Sequence, residues 1–346
     1  MILYYIVILF LCLIGISFSK EGYHKDYLSK ENTNAIKGIF LLLIVISHSL
    51  PYLTQCGYHF NGFGDPYVLF IRKQLGQLVV VLFLFYSGYG ICESWKKKGS
   101  GYVKSMPTHR ILTTLLNFDV AVFLFALLCL ILSIPFTTKQ FFLSLIAWDS
   151  VGNSNWYIFC ILICYLISYI VLRFSPPPHD SKKASTALTF IILITVSLLL
   201  SFYKEPRWYN TLWAYGAGFA FSNYKTCFEK MVQKNYCLYL GLFIVLFVIL
   251  FLNKFEFRGI RYNLLSISFA FLIVILTMKF TINNTILGWV GKNLFPMYIY
   301  QRLPMIILQN RFECFTGIHP VLFVAISLFV TVGITFLYKY WRISLR

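Results

Sequence analysis

Charge is what this 346-residue sequence lacks most. Only 12% of its residues are Asp, Glu, Lys or Arg, and just 12 residues are acidic. Soluble domains run near a quarter charged, so an ordinary water-facing surface is excluded. A cysteine framework is missing too. The nine cysteines are scattered, most of them inside apolar runs, with no metal-type or disulfide-type spacing. Cys160 and Cys164, neighbours on one helix face, read as packing residues. There are no internal repeats. No basic stretch is longer than Lys96-Lys97-Lys98, which argues against a nucleic-acid surface despite a formal charge of +18.

What is present is apolar. Hydrophobic residues make up 59% of the chain, and the mean hydropathy is +0.73. Apolar runs of roughly 17 to 22 residues recur between short polar breaks, each long enough to cross a ~30 Å hydrocarbon core as a helix. Helices are required because each backbone polar group in lipid must be satisfied within its own segment. The expected spans are 2–19, 37–53, 75–92, 111–134, 156–173, 185–203, 208–222, 236–252, 262–279, 284–310 with a break, and 320–340. The fold class is therefore an all-α integral membrane protein, a polytopic bundle of about ten or eleven transmembrane helices with no soluble domain. Residues 1–30 read as an extra N-terminal helix and cytoplasmic loop, and 31–346 as the main bundle. Pro176-Pro177-Pro178 should stop one helix, and Pro296 should break another. Ser17 and Ser19 resemble a signal-peptide cleavage pattern. The run before them lacks a basic start and is long for such a peptide, so a retained helix is expected.

The 30 basic residues divide as 20 on one side of the expected spans and 10 on the other. The richer side includes Lys37, Lys96–Lys98, Arg110, Lys292 and Arg346. The poorer side includes Arg72, Lys204, Lys254, Arg258 and Arg302. By the positive-inside bias the richer side is cytoplasmic, which puts the N-terminus outside and the C-terminus inside.

Ionisable residues inside a membrane are functional candidates by default. His48 and Lys37 lie eleven positions apart, three turns of helix with ~20° left over. Both should project from one face, roughly 16 Å apart along the axis. Lys37 would sit at the cytoplasmic mouth and His48 deeper, where a neutral imidazole can act as a general base. The alternative is an inert interfacial histidine just before Pro51. A second constellation is Phe83-Leu84-Phe85-Tyr86-Ser87-Gly88-Tyr89-Gly90, followed by Lys96–Lys98 and His109-Arg110. Gly88 and Gly90 would let helices approach closely, and the basic cluster would attract phosphates. Ser87 has no evident base beside it for a nucleophilic role. On the outer side, Trp148, Asp149, Asn153, Asn155 and Trp156 read on their own as an interfacial aromatic belt with polar neighbours.

Taken in order, these residues resemble the membrane-bound acyltransferase 3 family, whose members O-acetylate sugars of bacterial cell-surface polysaccharides. The family's Arg-x10-His helix is matched by Lys37 and His48, and its Phe-rich Ser-Gly segment by Phe83, Phe85, Ser87, Gly88 and Tyr89. The basic stretch and arginine that follow are matched by Lys96–Lys98 and Arg110. A helix start is matched by Trp156-Tyr157-Ile158, and a late Gly-Lys-Asn pattern by Gly291, Lys292, Asn293 and Tyr298. Lysine replaces the family's arginine, and Val79-Val80-Val81 stands where many members carry an acid. Leu294 and Gln301 replace a late serine and histidine. Asp119 and Glu93 are the nearest acids left as second proton-transfer partners.

The resemblance implies an acetyl-CoA-dependent membrane O-acyltransferase of the bacterial plasma membrane, with the acyl-CoA as co-substrate and no tightly bound cofactor or metal. His48 would be the base, and Lys37, Lys96, Lys97, Lys98 and Arg110 would hold the donor. Its acceptor would be a hydroxyl of a surface or capsular polysaccharide, or of the lipid-linked precursor, with Trp148, Asp149, Asn153, Asn155 and Trp156 as acceptor-binding candidates, their aromatic faces packing against the sugar and their amides and carboxylate bonding its hydroxyls. A transporter or flippase for a lipid-linked sugar is the first rival, but it would show repeat symmetry between halves. A non-catalytic polysaccharide-assembly partner is the second, and the lost late serine and histidine favour it. The acyltransferase reading depends on one geometry: His48 and Lys37 along a common side of one buried helix, facing a tunnel open to both compartments, and not turned toward lipid or left without a channel between them.

Overall fold

A computed structural model describes residues 1–20, 22–177, 180–253, 259–311 and 319–345. Pro178, Lys254, Arg258 and Arg346, used in the sequence reading, lie outside the described residues. The chain is 79% helical. In chain order the elements are α1 (Ile2–Ile14), β1 (Ile16–Phe18), α2 (Lys30–Gln55), α3 (Asp65–Leu75) and α4 (Leu78–Met106). A π-helical turn, Pro107–Leu112, leads into α5 (Thr113–Ile131). Then come α6 (Thr138–Leu145), α7 (Trp156–Phe174), α8 (Lys182–Tyr203), α9 (Leu212–Lys234), α10 (Tyr236–Leu252) and α11 (Ile260–Thr277). The last elements are β2 (Phe280–Ile282), α12 (Thr285–Lys292), α13 (Leu294–Tyr300), α14 (Arg302–Arg311) and α15 (Pro320–Trp341).

The all-α membrane bundle expected from composition is what the structure shows. Among the described residues six helices are long and apolar enough to cross a membrane, or up to seven if the bent pair ending at Leu252 is one span. One of the six, residues 65–131, contains both α4 and α5. The larger expected number came from reading every apolar run as a crossing. The first run does not become one helix: α1 stops after 13 residues, about 20 Å at 1.5 Å per residue. Residues 16–18 instead pair antiparallel with 280–282, Ser17 opposite Thr281. Polar side chains fix that seam. Asn284 caps α12 by accepting from the Ile286 and Leu287 amides, and its Nδ2 donates to the Leu11 carbonyl at 2.9 Å. Asn32, buried near the start of α2, accepts from the Ile282 amide at 2.9 Å.

The break expected within 284–310 is real, but it falls at Asn293 and Gln301 rather than at Pro296. Pro296 and Pro304 each sit in the first turn of a short helix, where a missing N–H breaks no internal bond.

Burial separates the helices. α10 has no buried residue, and Leu238, Leu242, Val245 and Ile249 lie exposed along it. That surface suits lipid, not water. α15 buries Ser327, Thr331 and Thr335 on one stripe, with Thr331 and Thr335 donating to carbonyls one turn back. Polar groups in a membrane helix thus turn toward protein. α2 is the most enclosed of the crossing helices, with 61% of its apolar window buried.

Two close helix crossings position the site. A Cβ on Gly291 would strike the Asn34 carbonyl, and one on Gly38 would strike the Leu287 carbonyl, so α12 and α2 meet backbone to backbone. Gly88 and Gly218 do the same for α4 and α9, against the Tyr215 and Phe85 carbonyls. The expectation for Gly88 therefore holds. Gly90 differs, because a Cβ there meets nothing within 4 Å and the residue lines a cavity instead.

Candidate active site

The cavity beside Gly90 has a volume of about 400 Å³. Lys37, Arg110 and Lys292 line it, together with Ser87, Tyr157 and Tyr165. The α2–α12 crossing explains why two of these cations meet: each follows or precedes a crossing glycine directly, Lys37 before Gly38 and Lys292 after Gly291. Arg110 reaches the cavity from the π-helical turn, beside Tyr102 and Tyr165. None of the three has a carboxylate partner among the described residues. Three cations around one cavity with no lining acid make a site for a multiply charged anion.

His48 lines neither this cavity nor the other polar one. It sits behind a layer of rings. Phe83 and Tyr157 have centroids 5.9 Å apart, Tyr157 and Tyr298 5.1 Å, and Tyr298 and His48 6.2 Å. Lys37 and His48 thus do not line one cavity: Tyr157, at the wall of the Lys37 cavity, contacts Tyr298, and Tyr298 contacts the imidazole. Pro51 lies within α2; it has no N–H for the carbonyl four residues back, so Ser47 next to His48 lacks its helical donor.

Unpartnered polar atoms gather around this layer. Among the described residues His48 Nδ1, Tyr298 Oη, Gln301 Oε1, Arg302 Nε, Ser154 Oγ and Asn153 Nδ2 are buried without a hydrogen-bond partner. They are neighbours within bonding reach of one another: Gln301 and the imidazole form one such pair, Ser154 and the Tyr298 hydroxyl another, and the Arg302 charge acts on the imidazole, so small rotations can satisfy part of the cluster internally. Arg302 donates from Nη1 to the Gly152 carbonyl at 3.3 Å and lies 6.0 Å over the Tyr52 ring. Each such atom costs about 1–3 kcal/mol when left unmet, so a polar substrate group is a fitting partner for the cluster.

Several residues singled out in the sequence lie elsewhere. Lys96 is held by Glu93 at 3.0 Å and by the Ser222 hydroxyl at 2.8 Å. Lys97 and Lys98 are exposed, and none of the three lines the cavity. Glu93 is engaged with Lys96 and Ser222, while Asp119 is on α5; neither acid lines either cavity. Ser87 does line the cation-lined cavity, but among the described residues no imidazole or carboxylate lines it with the serine.

The outer loop is also busy with itself. Asp149 accepts from the Ser150 amide, and Asn153 Oδ1 accepts from the Val151 amide at 3.0 Å. Asn155 donates to the Ala147 and Asp149 carbonyls. Trp148 stacks under the Lys204 ammonium, 3.9 Å from the ring centre. Burial lowers the pKa of Lys204, against the opposing pull of Asp149. Trp156 opens α7 and packs edge-on against Tyr157, 6.3 Å between centroids.

Lys292, Tyr157, Tyr298 and Gln301 belong to the site although the sequence reading gave them no role. Their signal was their place in ordered motifs, not their chemistry. Gln301 is the informative one, since it stands where the resembling family carries a histidine and lies beside His48.

The fold and site define a polytopic membrane protein with a cavity lined by Lys37, Arg110 and Lys292 and a histidine behind a layer of rings. The sequence profile of the acyltransferase domain matches residues 31–340, nearly the whole chain, and the protein belongs to that family of membrane-bound acyltransferases. No match was found among curated proteins or among solved structures.

Proposed function

We propose that the protein transfers an acetyl or other short acyl group from acyl-CoA to a hydroxyl of a cell-surface or capsular polysaccharide, or of its lipid-linked precursor. The observation that carries this reading is the stacking along α2: Lys37 in a cavity of unpaired cations, a ring layer, then His48 with an unpartnered Nδ1.

In this reading the donor's phosphates rest near Lys37, Arg110 and Lys292. The pantetheine arm runs alongside α2 toward Tyr157 and Tyr298, an axial distance of roughly 16 Å from Lys37 to His48. Lys96, Lys97 and Lys98 act only as a basic rim that concentrates the anionic donor. The acceptor hydroxyl approaches from the opposite side, past the loop that carries Trp148, Asp149, Asn153, Asn155 and Trp156. His48 takes the hydroxyl proton as the oxygen attacks the thioester carbonyl. A C–O bond forms, the C–S bond breaks, and the proton passes to the departing thiolate. In this reading the protein lies in a bacterial inner membrane, and the excess of Lys and Arg on the Lys37 side supports placing that side in the cytoplasm and the N-terminus outside.

The test is His48→Ala in cells. Ester-linked acyl groups on the surface glycan, measured by mass spectrometry and NMR, should disappear while membrane insertion and polymer export stay normal. Unchanged acylation removes the catalytic reading. Acyl loss together with an export defect points to transport.

A further inference from the structure

On the far side of His48 from the cation-lined cavity lies a second polar cavity of about 410 Å³. Its position relative to the centre can be read from two helices. Tyr52 lines it and follows His48 by four residues on α2. Ile306 lines it and follows Arg302 by four residues on α14. Each wall residue is therefore about one turn, roughly 6 Å, beyond a residue of the centre. Arg302 joins the two, with its guanidinium over the Tyr52 ring and its Nη1 on the carbonyl of Gly152, which also lines the cavity.

The chemistry of the lining is specific. Gln55, Gln140, Ser150, Gln309 and Asn310 supply amides and a hydroxyl, Tyr52 and Phe136 supply aromatic rings, and among the described residues no charged side chain lines the cavity. Gln309 donates to Gln55 Oε1 at 2.7 Å, and Gln140 donates to the Ser150 carbonyl at 2.9 Å. These bonds hold the amides in place, and each amide still has hydrogen-bonding capacity for a ligand. Fixed neutral amides with aromatic rings beside them suit a hydroxyl-rich uncharged ring: amides both donate to and accept from hydroxyls, and aromatic faces cover C–H surfaces. A phosphate or carboxylate would find no matching charge on these walls.

We propose that this cleft is the acceptor subsite and that it takes a neutral glycosyl unit. The loop 147–155 then serves as its floor, through Ser150 and the backbone of Val151 and Gly152, rather than by presenting Trp148 or Asp149 to the sugar. That a sugar hydroxyl should face His48 rests on the acyltransferase reading; that the cleft recognises a neutral glycoside does not.

The test is saturation-transfer NMR on the full chain in lipid nanodiscs, with methyl α-D-glucopyranoside and methyl α-D-galactopyranoside as probes and methyl β-D-glucuronide as the acidic comparator. Ring protons of a neutral glycoside should receive saturation from the wild type. Affinity should fall about three- to tenfold in Gln140→Ala and in Gln309→Met, the loss expected for one or two neutral hydrogen bonds. Lys37→Met, on the donor side, should bind the glycoside as the wild type does. Thermal unfolding of each variant separates a lost contact from a lost fold. The proposal is overturned if neither neutral glycoside takes up saturation, if both folded cleft variants bind as the wild type does, or if the glucuronide binds better. The cell assay of His48→Ala reads the other question. Glycoside binding without an effect on acylation keeps the cleft and removes transfer, and the reverse result removes the cleft alone.

Discussion

The crossing of α2 and α12 ties packing to donor binding, so Gly291→Ala should disturb both at once. The new methyl would lie against the Asn34 carbonyl and 2.8 Å from the Gly38 amide nitrogen. Both are helix backbone and cannot rotate aside as a side chain could. The two axes must separate. Overfilling a packed interior costs about 1–3 kcal/mol, and backbone against backbone belongs at the upper end. Lys292 moves with the displaced helix, away from Lys37, so the cations grip the donor less closely and its KM rises several-fold while the acceptor KM stays put. Gly90→Ala is the control, since that residue lines the same cavity with open space around its Cα. Gly38→Ala disturbs the same seam, and the double variant should lose less than the two single losses added together. Thermal unfolding in nanodiscs and donor titration read the two effects. If Gly291→Ala melts with Gly90→Ala and binds donor normally, the crossing does not set the cation spacing.

Two other substitutions separate binding from chemistry. Lys37→Met should raise the donor KM by about 10- to 100-fold, the worth of a hydrogen bond to a charged group, and make donor binding less sensitive to salt, whereas Lys37→Arg should hold the donor at least as well; a donor KM untouched in the methionine variant places the phosphates elsewhere. Tyr298→Phe deletes a buried hydroxyl whose polar neighbour among the described residues is Ser154, so stability should change by no more than about 1 kcal/mol while transfer slows; a larger fall in melting temperature would mean that the hydroxyl is structural.

Long apolar runs were legible because a membrane leaves the backbone few options. α2, α7, α8 and α15 fall close to where hydropathy put them. What hydropathy does not see is a contact between distant segments. Residues 16–18 are as apolar as a helix needs, yet they pair with β2 because Asn283 donates to the Gly15 carbonyl at 2.7 Å and Asn284 caps α12 while holding Leu11. The placing of Pro296 failed for a local reason: a proline breaks a helix only beyond its first turn.

The site divides similarly. Lys37 and His48 could be placed on one face of one helix from spacing alone, and Arg110 came from its motif. Lys292 depends on a crossing of two glycines 253 positions apart in the chain (Gly38 to Gly291), which no local pattern announces. The tyrosine layer joins residues of α4, α7, α13 and α2, and its members look like ordinary core aromatics until the fold gathers them. The outer loop misled because the same Asp and Asn side chains that suit a sugar also suit the loop's own amides.

The ring layer between Lys37 and His48 has a consequence for the membrane itself. A bundle with water-accessible hollows on opposite faces risks becoming a leak for ions. Here Tyr157, Tyr298 and the His48 imidazole follow one another between the two hollows, a run of rings with little room for a hydrated ion. In the proposed reaction only a small uncharged acyl group has to slip past them, and the bulky anion and the sugar never share a compartment.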